Sequence, residues 1–196
     1  MKDGSNRLAS PMARRMCGIA IACGIATLLF TLPAAPHGRE PWLTLAISCG
    51  VTCYHFSYRL LVGLLLDARL HNQLDPEAWL FRPRRGEAQL YRMLRVQRWK
   101  HRLPTFAPGT FSLRQHSCRQ IAAATCQAEL VHLLNIPLSF APLLLIPRFG
   151  SAAVFFITSL LAAAFDAVFI VIQRYNRPRL LHLAARQEQI HHKERP

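Results

Sequence analysis

Acidic side chains are scarce in this chain. Asp and Glu number 10 against 24 Lys and Arg, which leaves a formal charge of +14 and a pI near 10.8. Such an excess invites a nucleic-acid partner, but the basic residues carry no helix-turn-helix pattern, zinc finger or aromatic RNA-binding signature, so no nucleic acid is expected. Paired cysteines are missing too. The six cysteines include no Cys-x-x-Cys, which argues against a zinc or disulfide framework. Cys17, Cys23, Cys49 and Cys53 fall in apolar runs, where a thiol acts as a small hydrophobic side chain. Cys118 and Cys126 are expected to be cytosolic and reduced.

Charge is also thin in four long stretches, residues 16–35, 42–66, 130–147 and 150–172. With 52% hydrophobic residues in 196, the chain is too apolar for an ordinary soluble domain. A helix rises about 1.5 Å per residue and needs about 20 residues to cross the hydrocarbon core. The expectation is an all-α integral membrane protein, one domain over residues 1–196, with about four transmembrane helices. The third stretch is the weakest, because Pro137 and Pro142 interrupt it, and a kinked or re-entrant segment is the alternative to a span. Pro147-Arg148-Phe149-Gly150 then reads as a tight turn. The first stretch has a rival reading as a signal peptide ending near Leu32-Pro33-Ala34-Ala35.

Lys and Arg are one-sided with respect to these spans. Lys2, Arg7, Arg14 and Arg15 precede the first, eleven lie from Arg69 to Arg119 and six follow Gln173, whereas only Arg39 and Arg148 occupy the opposite loops and Arg59 lies within the second span. The positive-inside rule then puts both termini and the segment 67–127 in the cytoplasm, in the cytoplasmic membrane, with anionic lipids as partners of the basic face. Within 67–127 short interfacial helices are expected. From Glu87 to Lys100 an apolar stripe of Leu90, Tyr91, Leu94 and Trp99 opposes Arg92, Arg95 and Arg98, and a further helix starts near Ser112. Pro104, Pro108 and Gly109 impose a loop between them. Trp99 and Lys100 read either as an interfacial anchor or as the wall of a site for an anionic ligand.

One pair is suited to chemistry. Glu129 and His132 stand at i and i+3 on a helix, which brings a carboxylate within reach of an imidazole and favours a general base aimed at a hydroxyl. An ion pair, a cap or a lone interfacial histidine are the bland alternatives. A metal site is not expected, since Glu-x-x-His gives two ligands and only His191 and His192 stand as further candidates. Cys126, as an acyl-accepting nucleophile, ranks below His132.

Arg98-Trp99-Lys100-His101, Ala128-Glu129-Leu130-Val131-His132 and Gln173-Arg174-Tyr175-Asn176-Arg177-Pro178-Arg179-Leu180 together resemble the glycosyl-diaponeurosporenoate acyltransferase family, over roughly residues 82–185. The resemblance implies an enzyme that moves a fatty acyl chain to a sugar hydroxyl of a hydrophobic glycosylated, carotenoid-type acceptor at a membrane. No cofactor is implied beyond acyl-CoA or a similar acyl donor as co-substrate. On this footing His132, Glu129 and Asn176 are the expected catalytic residues, with Asn176 donating to the oxyanion. Trp99, Lys100, Arg174, Tyr175, Arg177 and Arg179 are expected to bind substrate. A membrane methyltransferase and a lipid-binding scaffold are the alternatives.

Overall fold

The computed structural model describes residues 10–32, 39–103 and 108–193, and every described regular element is helical. Among the described residues the α-helices are α1 (Pro11–Thr31), α2 (Arg39–Leu70), α3 (Glu87–Met93), α4 (Val96–Trp99), α5 (Cys118–Ser139), α6 (Ile146–Phe149) and α7 (Ala152–Lys193). Four segments, built on α1, α2, α5 with α6, and α7, are long and apolar enough to cross a membrane, so the expected all-α membrane architecture holds. The end of the first expected span, its rival cleavage stretch at 33–35, Lys2, Arg7 and Pro104 lie outside the described residues, as do the side chains of Arg39, His191 and His192.

Local chemistry sets the helix ends. Ser10 accepts the Ala13 amide at 3.1 Å and Pro11 occupies the first helical position, where its missing N–H costs nothing. The helix expected from near Ser112 starts instead at Cys118. Ser117 and Gln120 form a capping box there, the Ser117 amide donating to the Gln120 side chain at 2.8 Å and the Gln120 amide to Ser117 Oγ at 3.2 Å. The expected continuous stripe over 87–100 is broken. Arg95 takes a left-handed conformation, φ 49°, which ends one short helix and begins the next. Pro137 is accommodated within α5, and a 3-10 stretch over Ala141–Leu145 leads into α6. The turn then falls on Gly150 and Ser151, both at positive φ, the first at no steric cost because glycine has no Cβ. α7 runs straight on through the expected span end at 172 and through the whole Gln173–Arg179 motif.

The chain forms two compact units. One comprises residues up to 65 with 133–167, the other 66–132 with 168 onward. In the first, Ile47, Val51 and Phe155 form a small core against Leu43, Leu143, Ile146 and Val154. Many large apolar side chains stay exposed, Leu28 at 68% and Leu161 at 66% among them, as expected where lipid replaces water as solvent.

A polar band crosses this unit. Arg59 pairs with fully buried Asp166, whose other oxygen accepts Asn135 Nδ2 at 3.3 Å. Arg59 also donates to the His55 and Ala162 carbonyls, at 2.9 and 3.0 Å. Tyr58 and Ser139 share a hydroxyl–hydroxyl bond of 2.7 Å. The charge-poor stretch 150–172 therefore contains the carboxylate that neutralises the arginine of the second span.

Candidate active site

Every residue expected in the site lies in the second unit, from 66 to 132 and from 168 onward. Its base is the end of α2, where the Asn72 amide donates to Gln127 Oε1 at 2.6 Å and Gln127 Nε2 donates to Asp67 at 3.2 Å. This ties α2 to α5. Along the same stretch of α5, Thr125 and Glu129 stand one turn apart and present a hydroxyl and a carboxylate to α7.

Glu129 is fully buried and holds two arginines of the seven-residue motif. Arg174 Nη1 reaches Oε1 at 2.6 Å and Arg177 Nη2 pairs with Oε2. Arg174 continues the chain of charges to Glu87 on α3, with Nε and Nη2 on Oε1 at 3.0 and 2.7 Å, and also donates to the carbonyls of Leu80 and Arg82. Arg177, 1% exposed, donates to Thr125 Oγ1, the Thr125 carbonyl and the Phe81 carbonyl, and lies over the Phe81 ring. Glu87–Arg174–Glu129–Arg177 is thus an alternating chain with no net charge. All three nitrogens of each guanidinium are taken by protein atoms. Arg174 and Arg177, both expected to bind substrate, are thus engaged within the protein, and a ligand that took either guanidinium would displace a buried ion pair.

Asn176 points elsewhere. Lys100 Nζ donates to Asn176 Oδ1 at 2.9 Å, and since an ammonium only donates, this fixes the amide with its NH₂ free to donate onward. Lys100 also lies 5.0 Å from the centre of the Tyr175 ring, and Arg179 stacks on that ring at 3.6 Å. Burial, then the Arg179 cation, draws the Lys100 pKa below its ordinary value. Tyr175 meets Tyr91 edge-on at 5.8 Å, and the Tyr91 hydroxyl donates to Glu87 Oε2 at 3.0 Å. Burial, then the Glu87 charge, pushes the Tyr91 phenol up to about 12, so it stays protonated. Against this wall opens a cleft of about 950 Å³ with Tyr91, Tyr175 and Arg179 in its lining.

Trp99 turns away from that role. Its indole N–H donates to the Leu94 carbonyl at 2.8 Å, stapling the break between α3 and α4, and it does not line the cleft. His132 is half-buried and stacks on Phe169 of α7, with centroids 4.9 Å apart and planes within 14°. Phe169 precedes Asn176 by two helical turns, about 10 Å along α7. Asn176 is therefore displaced from the imidazole along the helix. Cys126 is fully buried and donates to the Ala122 carbonyl at 3.4 Å, which suits a packing role.

Sequence reasoning passed over the pairing roles of Glu87 and Thr125 and the contact of Tyr91 with Tyr175. Glu87 had a visible signal, as the only acid between Glu77 and Glu129 in a stretch rich in arginine. Ser117-x-x-Gln120 likewise carries the capping-box pattern.

Comparison with curated proteins finds no match, and neither does comparison with solved structures. Comparison with protein families aligns residues 76–186 with glycosyl-4,4'-diaponeurosporenoate acyltransferase. That interval contains the Glu87–Arg174–Glu129–Arg177 chain, His132, Lys100 and Asn176. Since it spans more than half of the 196 residues, the protein belongs to the glycosyl-4,4'-diaponeurosporenoate acyltransferase family and is a membrane acyltransferase.

Proposed function

We propose that the protein transfers a fatty acyl group from an activated thioester donor to a hydroxyl of a glycosylated, lipid-like acceptor at the cytoplasmic face of the cytoplasmic membrane. The observation that carries this reading is the double ion pair of Glu129 with Arg174 and Arg177. It joins the Glu-x-x-His segment of α5 to the arginine-rich segment of α7, which gives the two motifs one rigid frame. Activated donors belong to the cytoplasm. The clustering of Lys and Arg in the termini and in residues 69–119 supports that side for the site.

His132 acts as general base. It takes the proton of the acceptor hydroxyl as the oxygen attacks the thioester carbonyl. The tetrahedral intermediate then collapses with loss of the carbon–sulfur bond, and the proton passes from the imidazolium to the departing thiolate. Product ester and free thiol balance the reaction. Stacking on Phe169 holds the imidazole plane, and Glu129, one turn earlier on α5, is a positioning residue that sets this part of the helix against α7. Asn176, about 10 Å along α7 from Phe169, and Lys100, which donates to it, serve the donor rather than the oxyanion, a change from the role expected of Asn176.

The test is chemical. Membranes containing the protein, supplied with isotopically labelled acyl thioester and a glycosylated carotenoid acceptor, are expected to yield a labelled ester stable to thiols and cleaved by mild base. Absence of label in the glycolipid, with the protein folded and inserted, rejects the reading.

A further inference from the structure

The cleft beside Tyr91 and Tyr175 is cationic beyond any need of the fold. Arg84, Arg92, Arg95, Arg98 and Arg179 line it together with His182, and the one carboxylate in its wall, Glu87, is already paired with Arg174. None of these five arginines has a carboxylate partner among the described residues. Like charges gathered this closely repel, so the arrangement is stabilised when an anion enters.

Arg95 sharpens the point. Its left-handed backbone, φ 49° and ψ 41°, would suit Gly or Asn at lower cost than arginine. Its side chain lines the cleft, and the break in the helix that it creates shapes the wall. The guanidinium is what arginine adds at this position. Arg179 is held differently, stacked on the Tyr175 ring and donating to the Tyr175 carbonyl at 2.7 Å, so its planar fork is pre-organised.

We infer that this cleft binds the phosphates of a nucleotide-linked acyl thioester, the donor of the transfer reaction, and so locates the donor's carrier; the inference rests on the acyltransferase reading above. Two features favour a nucleotide over a single phosphate. The volume of about 950 Å³ lies at the upper end of small-molecule sites, which run to about 1,000 Å³. The number of cations also exceeds what one phosphodiester charge neutralises. Position along α7 agrees, because Arg179 lies about 15 Å beyond Phe169, on which His132 stacks. A linear arm between the anchored phosphates and a thioester at the imidazole spans that interval.

The full-length protein in phosphatidylcholine nanodiscs, titrated with coenzyme A and separately with inorganic phosphate, tests the assignment. Coenzyme A is expected to bind more tightly than phosphate and to weaken as salt is raised. Arg95→Gly and Arg179→Gln are each expected to cost about tenfold in affinity. Arg95→Gly should do so without lowering the melting temperature, since glycine relieves the left-handed backbone. Failure of coenzyme A to bind, or equal binding by Arg95→Gly, overturns the inference. So does a variant whose only loss is adhesion to phosphatidylglycerol vesicles, which identifies the anion as a lipid headgroup. The acyltransferase reading fails separately. Transfer from a phosphate-free thioester with undiminished kcat/KM would leave it standing and remove the carrier site, whereas coenzyme A binding without acyl transfer would do the reverse.

Discussion

Glu129 and Arg177 form an ion pair shut off from solvent, with Glu129 fully buried and Arg177 1% exposed. Its function is structural before it is chemical. Arg177 ties α7 to α5 through Thr125 and Glu129 and to the Phe81 carbonyl of the preceding loop, while Arg174 extends the same frame to α3.

Removing one partner strands a buried charge. Arg177→Gln is expected to destabilise the fold by about 3–5 kcal/mol, seen as a lower melting temperature in detergent and reduced abundance in the membrane. A variant of normal stability whose only defect is a raised KM for the acyl donor would show that Arg177 faces substrate.

The same reasoning applies in the first unit. Asp166→Leu or Arg59→Leu alone should each destabilise by about 3–5 kcal/mol, whereas the two together should recover much of that loss, because two apolar side chains replace two buried charges. Thermal unfolding of the three variants reads the difference. Additive losses in the double variant would contradict the pairing.

Tyr91 offers a pH signature. Its folded pKa of about 12 lies above the ordinary phenol value, so the folded state holds the proton more tightly than the unfolded chain. The stabilisation is fully present below pH about 10 and is lost as pH rises through about 12. Tyr91→Phe removes the hydrogen bond to Glu87, at a cost of about 0.5–1.5 kcal/mol at neutral pH. Between pH about 10 and about 12 the gap between wild type and variant should narrow. A constant gap across that range would show that Tyr91 does not titrate in this environment.

Much of this architecture was legible because its signals are long. Runs of about 20 apolar residues have few alternatives in length or composition, and four of them emerge as four long helical segments. The Glu-x-x-His segment falls on α5 and the Gln173–Arg179 string on α7, and the ion pairs of Glu129 join the two. What the string could not convey is which arginine faces which carboxylate. Arg174, Arg177 and Arg179 look alike in sequence, yet the helical period of 3.6 turns the first two toward Glu129 and carries Arg179 onto Tyr175. Asp166 was hidden for the converse reason. One acid does not alter the mean hydropathy of an apolar run, and its partner Arg59 is 107 residues away. The helix break at Arg95 was unreadable as well, because arginine carries no turn signal.

The most direct test of the account is single-turnover acyl transfer by His132→Ala in reconstituted membranes, with labelled acyl thioester, a glycosylated acceptor and insertion checked in parallel. Loss of general-base assistance is expected to slow ester formation by about 10²–10⁴-fold while folding and membrane insertion are unchanged. Transfer at the wild-type rate would contradict the assignment of His132 as the base.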